Sequence, residues 1–136
     1  EFRRVLFRSS GVDVKIMIPS KPDHMFVYWA SFSYLGELLK SGAQGYCYKK
    51  GFIHSKTLVV DGKVCSIGTA NMDVRSFKLN FEVNAFIYDS NVSTECEEIF
   101  KNDMKESIKL TQLAYENRSI IIKFKESISR LLSPVL

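Results

Sequence analysis

The chain has 136 residues, 46% of them hydrophobic and 25% charged, with 19 Lys+Arg against 15 Asp+Glu for a net charge of +4. That length suits about one domain of roughly 150 residues, and the composition is globular, which excludes disordered, collagen-like and low-complexity classes. The longest apolar runs, such as residues 25–30, are far short of the roughly 18 residues of a membrane span. The basic balance by itself points to an anionic partner, nucleic acid or a membrane surface.

The first nine residues, Glu1-Phe2-Arg3-Arg4-Val5-Leu6-Phe7-Arg8-Ser9, show neither strand alternation nor a helix cap. They match the translation of a common sequencing adapter and are set aside from fold reasoning. Three Arg and one Glu go with them, leaving 16 basic against 14 acidic residues, a net of +2. An adapter also implies a gene that continues upstream, so residues 10–136 are expected to be a C-terminal fragment of a longer protein.

Val12, Val14, Ile16 and Ile18 alternate with polar or flexible residues, the period of a strand. Asp23 then suits a helix N-cap. Met25, Trp29, Phe32, Leu35 and Leu39 follow at helical spacing, their aromatic face expected in the core, with Gly42 as the stop. His24 is expected to be structural. A short strand is predicted near residues 46–49. Two more, 52–60 and 63–68, flank Asp61-Gly62, a strong two-residue hairpin signal. Residues 82–88 suggest another strand. Thr94 and Glu97 suggest a capping box opening a helix, and a last helix is predicted over 118–132, ended by Pro134. With no linker-like stretch and no repeat, this is one α/β domain of α+β mixed character, a central mixed β-sheet flanked by helices. The last helix, with Ile121, Phe124, Ile128, Leu131 and Leu132 among Lys123, Lys125 and Arg130, either docks on the core or lies in a membrane interface.

Cys47, Cys65 and Cys96 are odd in number and form no C-x-x-C pair. This pattern indicates neither a disulfide framework nor a zinc site, but three small hydrophobes in a reducing compartment.

The chemistry concentrates in the hairpin. On a strand, His54 and Lys56 share one face. If Asp61-Gly62 is a two-residue turn, Lys56 faces Ile67 and His54 faces Thr69, with Asn71 two residues beyond. An imidazole, an ammonium, a hydroxyl and an amide then gather at the open end of the hairpin. Such a set can bind a phosphate through Lys56, Thr69 and Asn71, with His54 as nucleophile or general acid. A one-residue slip in register would reverse the faces.

His54-x-Lys56-x4-Asp61-x6-Gly68-Thr69-x-Asn71 resembles the HxKx4Dx6GSxN motif of the phospholipase D superfamily, with Thr69 in place of the usual Ser. Further stretches are similar to bacterial cardiolipin synthases. These are Lys21-Pro22-Asp23-His24, Ser33-Tyr34-Leu35-Gly36-Glu37-Leu38-Leu39, Ala70-Asn71-Met72-Asp73-Val74-Arg75-Ser76-Phe77, Leu79-Asn80-Phe81-Glu82-Val83-Asn84 and the closing Arg130-Leu131-Leu132-Ser133-Pro134-Val135-Leu136. The resemblance covers residues 12–136 and matches the C-terminal catalytic half of that family.

The resemblance implies a phosphatidyltransferase that joins two phosphatidylglycerol molecules and releases glycerol through a phosphohistidine, without metal or other cofactor. It makes His54, Lys56, Asn71 and Glu82 catalytic, with Thr69 supporting the phosphate and Glu82 orienting His54. His54 is assigned to general acid/base work, the nucleophile's role staying open. Asp61 and Gly68 are structural members of the motif, and Arg75 reaches either a lipid phosphate or a local salt bridge. Two such motifs meet in one active site in this family, and only one is present here. The implied partners are the missing N-terminal half and a membrane surface, and the implied location is the bacterial membrane with the catalytic domain in the cytoplasm. A phosphodiesterase or nuclease of the same superfamily, or an inactive lipid-binding fragment, are the alternatives. A nuclease is disfavoured by a net charge of only +2 with acids interspersed, so no nucleic-acid partner is expected.

Overall fold

The computed structural model describes residues 11–21 and 24–132. The expected adapter stretch lies outside the described residues, as do Asp23 and Pro134, the expected helix cap and stop. The described residues form a mixed α/β protein of six strands and five helices. This is the mixed α/β class expected. The chain divides into two compact units, the stretch ending at Phe52 with that beginning at Ser107, and the continuous stretch Ile53–Glu106. The strands form two three-stranded sheets. The second unit is inserted within the first, an arrangement that leaves no linker composition in the sequence.

The first unit contains β1 (Lys15–Pro19), α1 (Met25–Lys40), β2 (Gln44–Tyr48), β6 (Ser107–Leu110), α4 (Gln112–Glu116) and α5 (Ile120–Leu132). β1 and β2 pair in parallel, with α1 as the crossover that parallel strands require, and β2 pairs antiparallel with β6. His24 stands at the N-cap of α1 with extended backbone and no side-chain capping bond. Gly42 ends the helix as expected. Its φ of 93° lies in the left-handed region. Gly42 N–H donates to Leu39 C=O at 3.0 Å and Ala43 N–H to Leu38 C=O at 2.9 Å, the reverse bonds of a Schellman stop. Leu35, Leu38, Leu39, Ala43, Tyr46 and Cys47 are buried and make the core. Trp29 and Phe32 are half-buried, and Tyr28 packs edge-on to Trp29 at 5.3 Å and against Phe32 at 4.7 Å.

α5 docks on α1, but with its polar side. Glu126 and Ser129 are buried, whereas Ile120, Phe124 and Leu131 are 83%, 65% and 80% exposed. The seam is charged and aromatic. Arg118 pairs with Glu126 at 2.6 Å, stacks 3.2 Å from the centre of the Tyr115 ring and donates to the Tyr115 carbonyl. The Tyr115 hydroxyl donates to Phe32 C=O at 2.9 Å. A Cβ on Gly36 would overlap the Tyr115 ring, which explains a glycine inside a helix. Arg130 bridges to Glu37 at 2.5 Å and lies over Tyr34.

The second unit contains β3 (Thr57–Val60), β4 (Val64–Gly68), α2 (Val74–Lys78), β5 (Asn84–Ile87) and α3 (Ser90–Lys105). Its sheet runs β3-β4-β5, antiparallel throughout. α3 packs on β3 and β4 and begins four residues before the expected Thr94. Asp89 is the cap, accepting from Val92 N–H at 2.9 Å, so Thr94 lies inside the helix and forms no capping box. Cys47 and Cys65 are buried and Cys96 is half-buried, all three free thiols. Burial pushes the Cys96 thiol up, and the neighbouring Cys65 adds to this.

Candidate active site

The site residues all come from the second unit, and the hairpin sets their positions. Asp61 and Gly62 have φ of 51° and 60°. Lys63 N–H donates to Val60 C=O at 3.0 Å, closing the left-handed turn that Asp-Gly favours. Val60 nevertheless pairs with Val64, and Val59, Leu58 and Thr57 with Cys65, Ser66 and Ile67. Lys63 is therefore an extra residue, a bulge, and the register is one residue away from that expected.

This shift corrects the derivation from a two-residue loop. Lys56 lies opposite Gly68, whose N–H donates to Lys56 C=O at 3.2 Å, and not opposite Ile67. The expected pairing of His54 with Thr69 falls with it. β4 continues the row, because Gly68 pairs with Asn84 of β5. Lys56, Gly68 and Asn84 thus lie side by side on one face. Cys65, beside Cys96 of α3, points to the other. The hydroxyl-bearing neighbour of this row is Ser66 on β4, again one position from the expected register.

Beyond the strands, the loop brings the remaining residues to the open end. Lys56 Nζ donates to the His54 carbonyl at 3.3 Å, and the His54 side chain is exposed. Thr69 N–H donates to Val83 C=O at 2.9 Å, and the Thr69 hydroxyl accepts from Val83 N–H at 2.9 Å. That hydroxyl therefore anchors the strand ends. Asn71 is exposed in the following loop, which Asp73 closes by accepting from Ser76 N–H at 2.7 Å at the cap of α2. Asp61 sits at the closed end of the hairpin.

Glu82 lies at the centre of a polar chain. Arg75 Nε donates to Asn80 Oδ1 at 3.3 Å, and Asn80 Nδ2 donates to Glu82 Oε1 at 3.1 Å. Hydrogen bonds from Thr69 and then Asn80 hold the Glu82 carboxyl below the usual carboxylate range, with the Lys56 charge acting in the same direction. A depressed folded value means that the stabilisation is present above the unfolded value, about 4.3, and is lost as pH falls through the folded one. Thermal melts of the full-length protein at pH 5 and pH 3 are therefore expected to show a smaller acid loss for Glu82→Gln than for the parent. Equal losses would contradict the assignment.

Gly68 is fixed by crowding. A Cβ there would overlap the Val83 carbonyl oxygen, which is backbone, and the Asn84 side chain. Gly68→Ala is expected to cost about 1–3 kcal/mol, the usual range for overpacking, read as a lower urea midpoint. An unchanged midpoint would show that the strands part easily.

Asn80 and Asn84 were not among the candidate residues. Their signal was the alternation Asn80-Phe81-Glu82-Val83-Asn84, which puts three polar side chains on one side of an extended segment. The second unit thus carries cationic, imidazole, carboxylate, hydroxyl and amide groups along the open end of the hairpin and the approach to β5, groups of the kinds that can hold a phosphodiester and move a proton.

The family model described as cardiolipin synthase, PLD-like domain, matches residues 5–104. The chain belongs to this family. It is 60% identical over 127 residues to the major cardiolipin synthase ClsA of Bacillus subtilis. It is 59% identical over 127 residues to cardiolipin synthases of Oceanobacillus iheyensis and Listeria monocytogenes. Each alignment covers 93% of this chain and 26% of the relative, so the chain spans about a quarter of the length of the curated relatives it matches. The family assignment agrees with the mixed α/β fold and with the phospholipase D-like motif in the β3–β4 hairpin. Among the described residues, no helix is long and apolar enough to cross a membrane.

Proposed function

We propose that the chain is the C-terminal catalytic part of a cardiolipin synthase and supplies one of two HKD motifs to a shared site. The carrying observation is the pattern His54, Lys56, Asp61, Gly68, Thr69 and Asn71 in a chain 59–60% identical to cardiolipin synthases. In the full-length enzyme, one histidine attacks the phosphorus of a first phosphatidylglycerol. A P–N bond forms, and the P–O bond to the headgroup glycerol breaks. The other histidine gives that oxygen its proton, so glycerol leaves. It then takes the proton of a headgroup hydroxyl on a second phosphatidylglycerol. The new oxygen displaces the histidine, and cardiolipin forms.

His54 takes the acid/base part. Lys56 and Asn71 hold the phosphoryl oxygens, with Thr69 supporting, and Glu82 orients His54. These are electrostatic tasks that fixed donors and charges perform well. The substrate is a membrane lipid, so the enzyme works at the bacterial membrane with this part on the cytoplasmic side. The missing half is the rest of the same protein. The chain's 26% share of its relatives leaves ample length for it.

The test is to incubate the full-length protein with phosphatidylglycerol vesicles and measure glycerol and cardiolipin. Equimolar release and formation supports the reading. Hydrolysis to phosphatidic acid, or activity on nucleic acid alone, overturns it. We also infer that residues 1–9 are adapter-encoded. Genomic sequence lacking those codons supports this, and their presence overturns it.

A further inference from the structure

Beyond Gly68, the β4 strand must turn into the loop that carries Thr69, Ala70 and Asn71. The ladder to the β5 side supplies a backbone acceptor for Thr69 N–H at Val83 C=O, 2.9 Å away. The next amide, Ala70 N–H, is bonded by a side chain, donating to Asn84 Oδ1 at 3.1 Å. The other end of the same carboxamide, Nδ2, donates to the Ser66 hydroxyl at 3.0 Å. Ser66 is buried, 6% exposed. One side chain therefore ties a fixed point inside the sheet to the backbone between Thr69 and Asn71. It lies across Gly68, where any Cβ would overlap it. The bare glycine and the carboxamide form a matched pair.

We propose that Asn84 is a positioning residue that sets the Thr69–Asn71 loop for phosphate binding, acting through Ala70 N–H. The proposal rests on the reading of Asn71 as a phosphate ligand. A carboxamide suits the task because it accepts at one end and donates at the other. An amide left without its acceptor would be free to turn, and with it the peptide that leads directly to Asn71. Misplacing a binding group by about 1 Å is enough to slow a reaction strongly.

The experiment is a double-mutant cycle in the full-length enzyme, measuring glycerol release from phosphatidylglycerol vesicles. Asn84→Ala is expected to lower kcat about tenfold in the parent and to have almost no effect when Asn71 is already alanine. The same tenfold loss in both backgrounds, or no loss in the parent, overturns the proposal and leaves the reading of the site intact. Full activity of Asn71→Ala by itself overturns that reading and the proposal with it. Should Asn84→Ala fail to fold, Ser66→Ala carries the test. It releases only the donor end of the carboxamide, and a loss of about threefold is expected, again confined to the parent background. Equal losses in both backgrounds, or none, overturn the proposal.

Discussion

Full-length enzyme carrying His54→Ala is expected to release glycerol from phosphatidylglycerol about 10²- to 10⁴-fold more slowly than the parent, the usual contribution of a positioned acid/base group. His54 is exposed at the open end of the β3–β4 hairpin, its own carbonyl tied to the Lys56 ammonium. A ligand can therefore reach the ring without opening the sheet. The two histidine roles separate experimentally. If His54 is the acid/base, the variant still accumulates phosphatidyl label on the other histidine when the substrate carries a good leaving group, since departure then needs no proton. If His54 is the nucleophile, no label accumulates with any substrate. Turnover within a few-fold of the parent would remove His54 from the mechanism.

The largest stability effect is expected at the α1–α5 seam. Arg118→Ala should destabilise the protein by about 3–5 kcal/mol, because removing one partner of a buried pair strands the other charge. The Arg118 and Glu126 side chains are only 14% and 5% exposed. Glu126 Oε1 and Arg118 Nε, both buried, have no hydrogen-bond partner among the described residues, so the pair is incompletely compensated there. Replacing both residues together, as Arg118→Met with Glu126→Leu, should therefore cost much less than Arg118→Ala and could even stabilise. Urea unfolding of the full-length parent and of these two variants reads this directly. A single variant as stable as the double would mean that the seam admits water.

The Asp-Gly turn that positions the candidate site and the Gly42 helix stop were legible because their signal is local, each depending on a few adjacent residues, and each occurs where expected. The bulge at Lys63 was not legible. Leu58, Val59 and Val60 are consecutive apolar residues, with Leu58 and Val60 45% and 48% exposed. The strand therefore offers no alternation that would penalise a one-residue slip. The start of α3 was expected at the Thr94–Glu97 capping box, but the Asp89 side chain caps the helix about one turn earlier. The apolar stripe of α5 misled in another way. Its period correctly marked a helix, but the buried side is the one carrying Glu126 and Ser129, an interface built from ion pairs and rings. β6 and α4 span only four and five residues, too few for any period to show.

The insertion of Ile53–Glu106 between β2 and β6 also imposes an order on folding. The inserted unit pairs its strands in sequence order, β3 with β4 and β4 with β5, so its contacts are the more local ones, and local contacts favour fast folding. The surrounding unit cannot finish its sheet until Ile108 pairs with Cys47, across the whole of the inserted stretch. During synthesis the β3–β4 hairpin therefore emerges and can fold while β2 still has an open edge. That edge stays exposed to strand addition by other chains until β6 arrives. Overproduced protein is thus most vulnerable to aggregation at an edge remote in sequence from the chemistry.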